Sequence, residues 1–558
     1  LPTSVKLGPL VQVSSTSPYA GNTADNVPGQ PGTNFLNSEV EPSIASDPNN
    51  AKHLVGIWQQ DRWSNTGARG MVTGVSFDGG NTWTLSPVPG ASLVSGGTMQ
   101  RTTDPWVTFA PDGTVYIATS PFDITDFNQG MFVSKSTDGG RTFGAPTTII
   151  FENIPNAIDD KESVTADPTN SKFVYYTWDR LFFDPDTFNF INGPTWFSRT
   201  TDGGKTWEAG RIIFDGGTNT QTIGNQIVVL PNGTLVDFFT FLDFNTGAQN
   251  VELIRSTDHG VTWSGPTVVG ALETVGVFDP NNGLPIRAGD ILPSVAVDHN
   301  RGTLYAVWSD GRFSNFTQDS VAFSQSTDGG LTWSAPIQIN QTPTNIPSGN
   351  QQAFTPAIAV ASNSTVAVTY YDFRNPDNQS GGAPTDAWMV FGGKQQNLTN
   401  PASWGNEQRL TNSSFNIELA PLDSLAGYFL GDYEALTVGG ENSNSFSALF
   451  AATVSTSDPT SLFFRDPGGS ESSAAPAIFA FQAGPATSHR ESGSTVENAS
   501  LISGSDLSGR LAWVADVRHV DQVFASSTDG PLAVAPTSTS ADGNELADAA
   551  IWSQEDEV

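Results

Sequence analysis

Short runs in which apolar and polar residues alternate recur along the first 465 residues, separated by clusters of Gly, Asn, Asp, Ser and Pro. Alternation with a period of two marks strands buried on one face, and regular turn signals between such runs predict an all-β fold. The runs themselves repeat. The first run of each repeat aligns as Glu41 to Pro48, Asp104 to Pro111, Lys161 to Pro168, Gly224 to Pro231, Leu292 to Asp298, Thr355 to Ala361 and Asp432 to Val438. A second run ends in an aromatic residue followed by a polar cluster. Examples are Trp58 before Asp61 and Arg62, Trp178 before Asp179 and Arg180, Trp308 before Asp310 and Arg312, and Tyr371 before Asp372 and Arg374.

A turn phrase closes five of the repeats. It reads Ser76-Phe-Asp78-Gly-Gly-Asn-Thr82-Trp83, and its copies are centred on Asp138, Asp202, Asp258 and Asp328, at spacings of 60, 64, 56 and 70 residues. Asp bonds its own backbone two residues on, and paired glycines supply the positive φ of a tight turn. The Trp or Phe that closes the phrase starts the next strand with a large buried ring. One phrase per period of about 60 residues is the signature of a repeat architecture.

The phrase resembles the Asp-box, or BNR (bacterial neuraminidase) repeat, of the sialidase-like β-propeller superfamily. That resemblance implies a propeller in which the box holds the turn between the third and fourth strands of a blade, as a structural element. The expected fold is therefore an all-β β-propeller, spanning residues 1–465. Seven inner runs favour seven blades over the six of sialidase catalytic domains. The sixth repeat keeps a degenerate turn at Asn400 to Trp404, and the seventh lacks a local outer strand. Gly8 to Val13 matches the fourth-strand pattern of Gly265 to Val269, so an N-terminal strand is expected to complete the last blade and remove an open edge. Residues 466–558 form an acidic, Ser/Ala/Gly-rich C-terminal extension.

Charge narrows the function classes. The 558 residues carry 24 Lys and Arg against 57 Asp and Glu, a net charge of -33. Such a surface repels nucleic acid and anionic membranes, and no apolar run is long enough to span a bilayer. Cysteine is absent, which excludes disulfides and thiol chemistry. The chain opens on Leu1, consistent with removal of an export signal. It carries Asn-x-Ser/Thr sequons such as Asn232 and Asn315. A secreted bacterial protein is the expectation. Oligomeric state is not legible.

In a propeller the entry of each inner strand and the end of the second strand share one face, opposite the boxes. Glu41, Asp104, Lys161 and Asp432 stand at aligned entry positions around the central channel, with Tyr433 beside them. These are the candidate catalytic groups, because paired acids supply general acid and base. Arg62, Arg101, Arg180, Arg312 and Arg374 are the candidate substrate-binding residues, since Arg grips a carboxylate through two bonds. Glu41, Asp104 and Asp432 also form a candidate calcium site; no other cofactor is called for. The resemblance implies a sialidase-like glycoside hydrolase acting on an acidic glycan. A non-enzymatic extracellular binding propeller and a polysaccharide lyase acting next to a uronic acid, with Tyr433 or Lys161 as base, are the alternatives. The Arg-Ile/Leu-Pro motif that precedes the first box of sialidases is absent, which argues against a true sialidase.

Overall fold

The computed structural model describes residues 6–375, 382–393, 397–424, 427–457 and 459–467. Of the expected C-terminal extension only Asp466 and Pro467 fall within them; the rest lies outside the described residues. The chain is a β-propeller built from four-stranded antiparallel units. The first comprises Glu39–Asp47, Asn50–Arg62, Ala68–Ser76 and Thr84–Pro87. Five more follow, with inner strands Arg101–Phe109, Ala157–Ala166, Thr220–Val229, Ser294–Asp298 and Ala353–Val360. A last unit holds Ala435–Val438, Phe446–Ala452 and Ser461–Arg465. Its fourth strand is Val11–Gln12, where Val11 pairs with Phe464 and Gln12 with Phe463. Each inner strand packs against the next, and Ala435–Val438 returns to Glu39–Asp47, so the inner strands form a closed cycle.

The five Asp-boxes sit between third and fourth strands. In the first, Ser76 Oγ and the Thr82 N–H each donate to Asp78 Oδ1 at 2.9 Å, and Thr82 Oγ1 donates to Oδ2 at 2.6 Å. The same bonds recur at Asp138, Asp202, Asp258 and Asp328. The Thr142 hydrogen bonds hold the Asp138 carboxyl down to about 2. All five aspartates are committed to their own turns.

The core lies between neighbouring units. Trp58, Trp178 and Trp308 are fully buried there. Each satisfies its indole N–H at the channel-side strand ends: Trp58 on Gln60, Trp178 on Asp159 and Trp308 on Asp310. Burying each ring while pairing its one donor combines large apolar area with no orphaned polar group.

A small extra sheet completes the channel face. Val277–Phe278 and Pro285–Arg287 come from the connection between the fourth and fifth units. Leu422–Asp423 and Gly427–Phe429 come from the connection before the last unit. Pro285–Arg287 runs parallel to Gly427–Phe429 and joins the two excursions. Gly289, at φ 61°, lets the chain pass so close to the ring that a Cβ would lie 1.7 Å from the Asp432 carbonyl oxygen.

Candidate functional site at the propeller channel

Five of the seven aligned entry positions share one backbone device. Glu41, Asp104, Lys161, Gly224 and Thr355 have φ of 53°, 50°, 47°, 72° and 50°. In each strand the pairing register shifts across that residue, as between Val40 and Ser43 or between Thr103 and Trp106. An extra residue in the left-handed region is a bulge that re-aims a side chain. For non-glycine residues it carries a conformational cost of order 1–3 kcal/mol each. Four such residues in equivalent places spend that energy on one ring.

Lys161 is the hub of the ring. Its Nζ donates to Asp104 Oδ1 and to Asp432 Oδ2, both at 2.8 Å, and lies 3.6 Å from Glu41 Oε1. All four side chains are buried. The small sheet supplies the next layer. Arg287 reaches Asp432 through Nε at 2.9 Å and Nη2 at 2.6 Å, and its Nη1 lies 3.3 Å from Asp423 Oδ2. Asp423 Oδ2 also accepts from Arg62 Nη2 at 3.2 Å. Arg62 Nη1 donates to Gln59 Oε1, and Gln59 Nε2 donates to Glu41 Oε2, which closes the circuit. Both guanidinium groups lie over the Phe429 ring, at 4.5 and 4.8 Å.

The electrostatics divide the carboxyls. Burial pushes Glu41 up to about 8, against the pull of Lys161. Burial also opposes the charge on Asp432, but Arg287 and Lys161 outweigh it and hold that carboxyl well below its ordinary range. Lys161 pays a burial penalty too, yet Asp104, Asp432 and Glu41 keep its ammonium well above the usual lysine value. Ion pairs join Lys161, Arg62 and Arg287 to Asp104, Asp423 and Asp432.

Tyr433 is half-buried beside the ring, donates to the Pro105 carbonyl at 3.2 Å and packs on Trp106. Burial drives its phenol well up, towards the protonated form. A Tyr–acid contact lies between the last two units: Tyr371 donates to Glu434 Oε1 at 2.6 Å, and both are buried. A cavity of about 50 Å³ adjoins the ring, lined by Lys161, Asp104, Asp432, Asn225, Leu292 and Tyr433 among others.

The five candidate substrate arginines do not converge. Arg62 belongs to the ring circuit. Arg101 is fully buried and bonds Gln30, Pro31, Asn65 and Thr66 while stacking on Trp63. Arg180 pairs with Glu152 between the Phe182 and Trp196 rings. Arg312 forks onto Asp310 at 2.7 Å through Nε and Nη2. Arg374 pairs with Asp372 and Glu407 and stacks on Trp388. Arg180, Arg312 and Arg374 follow an Asp at a strand end, and each of the three is paired with a nearby carboxylate. The calcium assignment meets a similar obstacle: the Lys161 ammonium already sits among Glu41, Asp104 and Asp432. No cluster of three or more His, Asp or Glu with a metal-holding arrangement occurs among the described residues. Asp423, Gln59 and Phe429 went unmarked in the sequence. Gln59 alone left a trace, in the polar cluster after Trp58.

No family model matches the chain. Two curated relatives, both the xyloglucanase Xgh74A of Acetivibrio thermocellus, are 28% and 29% identical over 234 and 239 residues. The match covers 39% of this chain, and the chain spans about a quarter (24%) of those relatives. Among solved structures, the Penicillium chrysogenum α-L-arabinanase complexed with arabinobiose is similar at 13% identity and a TM-score of 0.43, covering 83% of this chain and 98% of that one. A Hadza microbial sialidase, Hz136, is similar at 14% identity and a TM-score of 0.42, covering 74% and 73%.

Proposed function

We propose that the chain is a carbohydrate-active propeller of the glycoside hydrolase type, with Glu41 as the acid and Asp432 as its ionised partner. The observation that carries this reading is the placing of two buried carboxyls around one ammonium: Lys161 Nζ lies 3.6 Å from Glu41 and 2.8 Å from Asp432, with burial raising Glu41 and with Arg287 and Lys161 lowering Asp432. Two carboxyls whose environments drive them apart are the arrangement that acid–base cleavage of a glycosidic bond uses. Glu41 would give its proton to the leaving oxygen as the C–O bond breaks, while Asp432 bonds the anomeric carbon. Water, deprotonated by Glu41, would then release the sugar from Asp432.

The spent arginines support a neutral glycan over an acidic one. Four of the five candidate arginines already face carboxylates and the fifth, Arg101, is fully buried on neutral acceptors, while a chain of net charge -33 repels an anionic sugar at a distance. The stretch shared with a xyloglucanase agrees with a neutral polysaccharide. Secretion is part of the same reading, on the strength of the acidic, cysteine-free composition.

A glycan panel tests this: xyloglucan and arabinan beside sialylated and uronate-containing glycans, digested by the wild type, Glu41→Gln and Asp432→Asn. Release of reducing sugar from a neutral polymer, lost in both variants, supports the proposal. Hydrolysis untouched by both substitutions sinks the site. A second reading, a glycan-binding propeller without chemistry, is favoured by the burial of Glu41 and Asp104 to 1% exposure each. Retention of the wild type on a glycan array with no product from any member of the panel would establish it.

A further inference from the structure

We propose that Arg287 is the positioning residue that decides which carboxyl of the ring is the base and which the acid; the inference rests on the hydrolase reading above. Lys161 leans the same way, bonding Asp432 at 2.8 Å and standing 3.6 Å from Glu41, but its ammonium is shared with Asp104, also at 2.8 Å. Arg287 meets Asp432 through a two-bond fork, Nε to Oδ1 and Nη2 to Oδ2. No contact of this kind joins Arg287 to Glu41 among the ion pairs of the described residues.

The donors to Glu41 are of a different kind. The Gln59 amide and the Asp432 backbone N–H, the latter at 3.3 Å, are neutral dipoles. Arg62, the other nearby guanidinium, is paired with Asp423 and acts on Glu41 only from farther off. A buried carboxylate clasped by a guanidinium keeps its charge, whereas one met by neutral donors and a shared ammonium yields to desolvation. Asp104 and Asp290 also face this region and oppose ionisation of their neighbours. The contact that Asp432 shares with neither Glu41 nor Asp104 is therefore the Arg287 fork.

Arg287 is itself held in place from outside the propeller. It lies on the small sheet, its Nη1 against Asp423 and its guanidinium over Phe429. The protonation pattern of the ring is thus set by an excursion that belongs to none of the four-stranded units.

The test is a carboxyl titration of the full chain labelled with carbon-13 at Asp and Glu side-chain carboxyls, with Glu41 and Asp432 assigned by Glu41→Gln and Asp432→Asn. In the wild type, Asp432 stays ionised throughout the folded range and Glu41 titrates well above an ordinary glutamate. In Arg287→Ala the Asp432 midpoint rises by more than one pH unit and Glu41 falls towards it; Arg287→Lys, with one ammonium in place of the fork, restores part of the split. Midpoints unchanged in both variants overturn the proposal. If Arg287→Ala does not fold, the smaller shift in Arg287→Lys carries the same decision. Activity separates the two readings. Altered titrations in a protein that cleaves no glycan retain Arg287 and sink the hydrolase, while active enzyme with unmoved titrations does the reverse. Where hydrolysis is seen, the acid limb of the kcat profile moves up in Arg287→Ala with little change in KM.

Discussion

Lys161 and Asp432 stand 271 positions apart in the chain, and Lys161 Nζ donates to Asp432 Oδ2 at 2.8 Å. The bond ties the third unit to the entry of the last across the channel. Asp104 of the second unit accepts from the same nitrogen. One ammonium thus braces three units from within.

Lys161→Met removes that brace and leaves Asp104 and Asp432 buried without it. Breaking one partner of a buried ion network costs about 3–5 kcal/mol. Urea unfolding of the variant should show a loss of that size. Adding Asp104→Asn to Lys161→Met should recover part of it; if the double variant is weaker still, Asp104 is stabilised by other contacts.

Stability should fall from mildly acid to alkaline pH. Glu41 is raised by burial from 4.5 to about 8, and Asp319, also buried, from 3.8 to about 7. A group whose folded value is raised stabilises fully below its unfolded value and loses that contribution as pH climbs through the folded value. The window is therefore between about pH 4 and 8. Asp432 works in the other direction, because its carboxyl is depressed and its contribution disappears only in strong acid. Melting temperature at pH 8.5 should lie several degrees below that at pH 5.5, and the gap should narrow in Glu41→Gln. An equal gap in that variant would remove Glu41 as a source.

Hydrolysis should proceed with retention of anomeric configuration. Glu41 Oε1 and Asp432 Oδ2 both lie close to one nitrogen, at 3.6 and 2.8 Å. That is too close for the separation of about 6.5–9.5 Å that admits a water between an inverting pair. Proton NMR of the first-formed product decides the matter, and an inverted anomer would rule out Asp432 as nucleophile.

Asp78→Ala strips the first box of its bonds to Ser76 and Thr82. Stability should drop by about 1–2 kcal/mol. Turnover per folded molecule should not change, because the box lies on the face away from the ring. A fall in kcat without loss of fold would contradict that placement.

Deleting residues 1–14 removes the strand that pairs with Phe463 and Phe464. The edge of Ser461–Arg465 is then unpaired, and an exposed edge templates association. The truncated chain should melt earlier and scatter light at concentrations where the full chain does not. Unaltered melting would show that Val11 and Gln12 add nothing to closure.

Much of this architecture was legible in the chain. The aligned starts at Glu41, Asp104, Lys161 and Asp432 predicted a shared ring, and the match of Gly8–Val13 to a fourth strand predicted its pairing. The arginines were less transparent. Asp310 and Arg312 look in sequence like a free recognition pair, but two residues of separation at a strand end let the guanidinium fold back on its own carboxylate. Arg101 carries no sign that its donors belong to Gln30, Pro31, Asn65 and Thr66. The small sheet left no periodic pattern, because its strands span only two or three residues each.

The sequence by itself determined the repeat, the turns and the places where charged residues enter the channel. Those features rest on contacts inside a few residues, as when Thr82 bonds Asp78 four positions away. Only the tertiary structure decided which charge meets which. The contact of Lys161 with Asp104 spans 57 positions, and that of Asp432 with Glu41 spans 391. Such pairs exist only once the units close around the channel, where burial raises the Glu41 carboxyl while Arg287 and Lys161 hold that of Asp432 down against it.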